Sequence, residues 1–253
     1  MVEPHACEKL LTKSSCDPYE LLLVSACAKY SSFFPDFFLG SPGEICCAKW
    51  EHDAWVFLRD VAKTDFHGFM ACVCALLDLL NALHSAGIVH QDAKLNNFLV
   101  KEAASGECTA GRITFTCKGT TYMVACCDIE TLFLFYSPGL DKYYNVSIAE
   151  KKWWGFRRAS ETRAHFDNVK SADTHTLVCT IRMLTKIYFK DEGALDKCLK
   201  NALHMQTTHV LVDVRRGQRR QQYDIYVPNR TLCTAAQPAA VCQTLRMLFF
   251  SRA

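Results

Sequence analysis

"GIVHQDAKLNNFLV", Gly87 to Val100, sets His90, Asp92, Lys94 and the pair Asn96-Asn97 between an apolar approach and an apolar exit. Upstream, Asp65 to Ala86 has almost no charge in its middle and no proline, which predicts a largely buried helix with Gly87 placed to cap its C-terminus. Downstream, Phe98-Leu99-Val100 reads as a short strand. A buried helix and a strand would hold the polar residues between them rigidly at a cleft, and their side chains define a chemistry. The Asp92 carboxylate can accept a proton from an incoming hydroxyl. Lys94 can set a positive charge against a phosphate, and the Asn97 amide can hold a divalent cation. Asp128 ends the apolar run "TYMVACC" and can complete a magnesium site facing the same cleft. Phosphoryl transfer needs mainly positioning and charge neutralisation, and this set supplies both. Helix capping and turn bonding, the ordinary work of polar loop residues, would account for His90, Asp92 and Asn97 but require neither Lys94 nor Asp128.

Here the chain resembles the protein kinase family. "HQDAKLNN", His90 to Asn97, is similar to the catalytic-loop pattern H-R-D-x-K-x-x-N, with Gln91 in place of Arg. "CDIE", Cys127 to Glu130, stands where the family has D-F-G and keeps only the Asp. "SADTHTLVCTIRML" resembles the large C-lobe helix, whose first-turn Asp would be Asp173, the residue that buttresses the catalytic loop. The resemblance covers about Lys9 to Ile187. It implies an α+β, two-lobed kinase-like fold with a truncated N-lobe and hinge over residues 1–62 and a mainly helical C-lobe over 63–253. It implies ATP and Mg2+ as cofactors, Asp92, Lys94 and His90 as the catalytic set, and Asn97 with Asp128 as metal ligands. By the same resemblance "ACEKLL" is what remains of the strand bearing the ATP-phosphate lysine, Lys9, with Glu20 on the next helix as its ion-pair partner.

The N-terminal side departs most from the family. No G-x-G-x-x-G stretch precedes Asp17, and no A-P-E follows Ser137-Pro138-Gly139. Gln91 replaces an arginine that in many kinases binds the activation-loop phosphate, which argues against control by that modification. Three functions compete. A Ser/Thr protein kinase-like phosphotransferase is favoured, because Lys94 two residues after Asp92 points to Ser/Thr substrates. A pseudokinase scaffold, acting by binding a protein partner, fits the missing phosphate cradle. A small-molecule kinase of the aminoglycoside or choline type fits Asp128-Ile129-Glu130, while Lys94 and Asp173 argue against it.

Composition narrows the setting. The 253 residues suit one large domain or two small lobes, and half are hydrophobic, enough for a sizeable core. A net charge of +3 gives no general argument for nucleic-acid or membrane binding, and neither partner is expected. The 15 cysteines are odd in number, no apolar leader follows Met1, and no paired C-x-x-C spacing suggests zinc, so reduced intracellular thiols in cytoplasm or nucleus are expected. Small size, many cysteines and worn motifs would suit a viral or parasite-encoded kinase inside a host cell. No apolar run is read as long enough to span a bilayer, and the oligomeric state is left open.

Further elements are expected along the chain. Asp17 and Pro18 open a helix running toward Tyr30, and "FFPDFFLGSPGE" reads as loop. "ICCAKWEHDAWVFLRDV" reads as a β-hairpin around Glu51-His52-Asp53. "ITFT", "CKGT" and "TYMVACC" read as strand, turn and strand. "KSADTHTLVCTIRMLTKIYF" and "GALDKCLKNALH" read as helices, and a last amphipathic segment runs from Ala239 to Phe250. "THVLVDVRRGQRRQQYDIYV" reads as a hairpin with a basic tip, which could meet an acidic partner, serve as a nuclear import signal, or simply be solvated. "KKWWGFRR", Lys151 to Arg158, could belong to a substrate segment or to an ordinary packing cluster.

Overall fold

The computed structural model describes residues 10–13, 32–39, 45–90, 92–104, 111–127, 133–137, 142–147, 152–154, 159–189, 193–202, 207–216, 219–228 and 237–250. It is a mixed α and β structure in which every described strand pairing is antiparallel. Three short strands, β1 (Leu10–Lys13), β2 (Phe37–Leu39) and β3 (Ile45–Ala48), form one sheet in the order β1-β3-β2. The stretch expected to be loop thus contributes Phe37–Leu39 as an edge strand. The helix expected from Asp17 lies outside the described residues, as do Lys9, Glu20, Gln91 and Asp128.

The expected hairpin over Ile45 to Val61 is replaced by a strand followed by a helical segment. β3 pairs with β1 and β2, and Glu51-His52-Asp53 is no turn between two apolar strands. His52–Asp53 is β4, paired with a strand farther along the chain, and Asp53 caps the helical turn α1 (Ala54–Val56) by accepting the Val56 N–H at 2.8 Å. The chain continues as a π-helical turn, Phe57–Val61. Buried Ala54, Phe57, Leu58 and Ala62 fall at helical spacing, so their burial favours the helix over a second strand.

The core is organised around α2 (Phe66–Ser85), the helix expected from sequence. Asp65 is its extended N-cap, accepting the Gly68 N–H at 2.9 Å. Phe69, Met70, Cys72, Val73, Leu76, Leu77, Leu79, Leu80 and Leu83 are all buried, so apolar residues meet packing partners around most of its circumference. Each fully buried large side chain contributes about 1.5–3 kcal/mol. By length and composition α2 could cross a membrane, contrary to the expectation that no run is long enough. Since 67% of its apolar window is buried inside the protein, the core accounts for that character. Gly87, at φ +80°, turns the chain out of the helix.

Beyond α2 come β5 (Ile88–Val89), β6 (Phe98–Glu102), β7 (Ile113–Cys117) and β8 (Thr120–Cys126). β7 and β8 form the expected hairpin, turning through Lys118 at φ +50° and Gly119 at φ +80°, the backbone signature of a tight turn that matches strand twist. One sheet has the order β4-β6-β8-β7. Through β4 and the buried Ala54, Phe57 and Leu58, residues 52–61 pack with the body containing α2 although the sequence reading grouped them with the first region. A further sheet joins β5 to β9 (Phe133–Ser137), β10 (Lys142–Ser147) and β11 (Lys152–Trp154), none of which the sequence reading anticipated. The remaining elements are of the kinds expected, helices α3 (Ala159–Tyr188), α4 (Gly193–Ala202) and α5 (Pro238–Phe249) and the hairpin of β12 (Thr207–Arg216) with β13 (Arg219–Pro228), except that α3 begins well ahead of the expected Lys170.

Candidate functional site

The polar loop lies between β5 and β6. Lys94 is extended, and Leu95–Asn97 forms a 3-10 turn that delivers the chain into β6. This turn places Asn97 beside Asp92: its Nδ2 donates to the Asp92 backbone carbonyl at 2.8 Å and to the Asp92 carboxylate at 3.0 Å. Lys94 Nζ donates to the same carboxylate oxygen at 2.6 Å. An ammonium and an amide therefore converge on one carboxylate. With side chains 34% and 42% exposed, the Asp92–Lys94 pair adds at most about 1 kcal/mol to stability, so its contribution is geometric.

The support beneath these groups is buried. His90 is fully buried, and its Nδ1 accepts the Asp92 N–H at 3.3 Å while Nε2 donates to the Cys127 carbonyl at 2.8 Å. The ring thus spans the start of the loop and the residue that follows β8. A second tie runs from the Cys127 N–H to the Asn97 carbonyl at 2.9 Å. The residue after Cys127 is Asp128, which itself lies outside the described residues.

Asp173 holds the loop from below. Only 1% exposed, its carboxylate accepts the His90 N–H at 2.7 Å and lies 3.3 Å from Nε2 of His84, near the end of α2. Hydrogen bonds to a charged acceptor contribute roughly 1.5–3 kcal/mol, and burial raises the cost of leaving the partner unmet. Asp173 sits in the middle of α3, since that helix begins at Ala159 and not near Lys170, so the expected first-turn position is corrected. His84 was missed in the sequence reading. Its signal was its position near the end of a largely apolar helix, where a buried polar ring requires a partner.

The structure brings together His90, Asp92, Lys94 and Asn97, and Asp173 supports them. Among the described residues, no group of three or more His, Cys, Asp or Glu could hold a metal ion. The Asn97 amide, with its nitrogen engaged by Asp92, retains in Oδ1 an oxygen of the kind Mg2+ prefers, so this half of the implied ligand pair fits the ion chemically. Lys13, which sequence reasoning did not consider, ends β1 opposite Ile45 and gives that sheet a described lysine position close in sequence to Lys9. No protein-family model matches the chain, and no curated protein matches it.

Proposed function

We propose that the chain is a protein kinase-like phosphotransferase that moves the γ-phosphate of ATP to Ser or Thr hydroxyls of proteins. The observation that carries this reading is the Asp92 carboxylate held between the Lys94 ammonium and the Asn97 amide, on a loop anchored through His90 to Asp173. Asp92 orients the substrate hydroxyl and takes its proton. Lys94 exchanges its bond to Asp92 for the transferring phosphate, neutralising charge there. Mg2+ supplies charge neutralisation at the phosphates, and Asn97 with Asp128 would hold it. A small antiparallel sheet of β1 to β3, followed by a body built on α2 and α3, supports a reduced N-lobe and a mainly helical C-lobe.

The test combines purified protein, Mg2+, γ-labelled ATP and a generic protein acceptor. Wild type should transfer label to Ser or Thr, and Asp92→Asn should lower the rate about 10²–10⁴-fold without changing the circular dichroism spectrum. Equal rates for wild type and Asp92→Asn would overturn the reading. Label on a small alcohol or aminoglycoside and on no protein would favour the small-molecule class. Absence of both label transfer and thermal stabilisation by Mg-ATP would favour the scaffold, since ligand at a hundredfold excess over Kd should stabilise by about 2.7 kcal/mol. Comparing Lys9→Ala with Lys13→Ala identifies the lysine that serves the nucleotide phosphates.

A further inference from the structure

Away from the polar loop, two cysteines meet where α5 packs on α2. Cys74 and Cys242 are free thiols, only 4% and 1% exposed. Cys242 Sγ donates to the Cys74 backbone carbonyl at 3.6 Å, and the two thiols are themselves hydrogen-bonded. A disulfide holds its sulfurs ~2.05 Å apart, so bond formation asks for a closure of about 2 Å shared between two side chains. One helical turn on from each cysteine, Asp78 and Arg246 form an ion pair at 2.5 Å. Its side chains are 31% and 56% exposed, so the buried thiols lie a single turn away from solvent.

The surroundings give the two sulfurs different roles. The hydrogen bond from Cys242 draws the Cys74 thiol below its ordinary value against the opposing effect of burial, and the Arg246 guanidinium assists. The same bond, and then burial, push the Cys242 thiol well up. Cys72, two residues from Cys74 and fully buried, is pushed up by burial instead. The thiolate is the form that attacks an oxidant. Cys74 is therefore the nucleophile, and Cys242, still protonated beside it, is the thiol that resolves its oxidised product.

We propose that Cys74 and Cys242 form a redox modification site, which a hydroperoxide converts into a disulfide stapling α5 to α2. The Cys74 thiolate takes one oxygen of hydrogen peroxide as the O–O bond breaks, giving Cys74 sulfenic acid and a hydroxide that leaves as water on gaining a proton. Cys242 sulfur then attacks Cys74 sulfur, and the Cys242 proton departs with the sulfenic hydroxyl as a second water. Two thiols lose two electrons and one peroxide gains them. Because α2 also carries His84, the partner of Asp173, the staple fixes the helix on which the polar loop is anchored. The proposal does not depend on the phosphotransfer reading, and either stands if the other fails.

The test exposes the reduced full chain to hydrogen peroxide, digests it with trypsin without reductant and maps linked peptides by mass spectrometry. Residues 64–94 should be joined to residues 231–246, with fragmentation placing the link at Cys74 and Cys242 and dithiothreitol releasing it. Cys72→Ser and Cys233→Ser should keep the link, whereas Cys74→Ser and Cys242→Ser should abolish it. Dimedone should trap a sulfenic acid on Cys74 in Cys242→Ser, and none on Cys242 in Cys74→Ser. Arg246→Gln should slow linkage about threefold, and Arg246→Lys should restore it. The bond closes a loop across a separation of 168 residues, so the linked protein should melt roughly 10–20 °C above oxidised Cys242→Ser. The wild-type map decides the question even where a serine variant fails to fold. No link in the folded chain, a link through Cys72 or Cys233, or equal linkage in the urea-unfolded chain would overturn the proposal. So would a linked protein that melts no higher.

Discussion

Replacing Asp173 by alanine removes the carboxylate that joins α2, α3 and the loop. The variant leaves the His90 N–H, now 2.7 Å from Asp173 Oδ2, without that acceptor inside a buried site, and separates His84 from its partner. A hydrogen bond to a charged acceptor contributes about 1.5–3 kcal/mol, and loss of the His84 contact adds to this, giving an expected destabilisation of roughly 2–4 kcal/mol. Against a total stability of about 5–15 kcal/mol for a typical domain, that is a substantial fraction. Urea unfolding followed by circular dichroism reads the change as a lower midpoint at unchanged slope. Asp173→Asn keeps the volume and one carbonyl oxygen for His90, so it should lose about half as much. A double-mutant cycle with His84→Ala should show a coupling of at least about 0.5 kcal/mol, because the two side chains touch. An Asp173→Ala midpoint indistinguishable from wild type would refute the assignment of Asp173 as the anchor of this loop.

Three further outcomes follow from the surroundings of α2 and the β7–β8 turn. A Cβ at Gly68 would lie 2.4 Å from both Cys117 Sγ and Asp65 Oδ2, so Gly68→Ala should destabilise by about 1–3 kcal/mol in thermal unfolding, despite alanine's better helix propensity. Lys118 adopts φ +50° before Gly119, and Lys118→Asn, giving the Asn-Gly pair such turns favour, should raise Tm. Burial, reinforced by the neighbouring Asp65 carboxylate, pushes the Cys117 thiol up to about 11 from an ordinary 9. The unfolded chain therefore releases this proton first, and stability present below pH 9 falls as pH rises through about 11. Fully buried Cys72, also raised by burial, acts in the same direction. Cys117→Ser should flatten the alkaline limb of a stability–pH profile, and an unchanged limb would sink this account.

Much of the site was legible because its signals are local. Gly87 could be placed from helix-ending rules, and the His90–Asn97 spacing anticipated which side chains converge, since a short loop between two buried elements leaves little freedom. The β7–β8 hairpin was equally readable from Lys118-Gly119 between alternating runs. The Ile45 to Val61 hairpin failed because a polar break between apolar runs suits both a turn and a helix cap. Asp53 decided for the cap, and only the burial of Ala54, Phe57 and Leu58 against α2 shows why. β9, β10 and β11 escaped notice for a different reason. β9 pairs with β10 and, far back in the chain, with Ile88–Val89, and β10 pairs with β11, so their partners are fixed by tertiary register and no nearby period announced them. Asp173 was identified by resemblance, whereas its partner His84 needed the tertiary contact.

The pairing of β5 with β9 has a consequence for how the site opens. Ile88 faces Phe135 and Val89 faces Leu134 across a ladder that begins immediately before His90. The entry to the loop and the segment beyond Asp128 are therefore joined by backbone hydrogen bonds, and neither can detach without breaking bonds held by the other. Native-state hydrogen exchange should find the amides of this ladder opening together as one cooperative unit, with a single free energy and a single response to ligand. A molecule that grips residues 133–137 would then tighten the backbone just ahead of Asp92 without touching it.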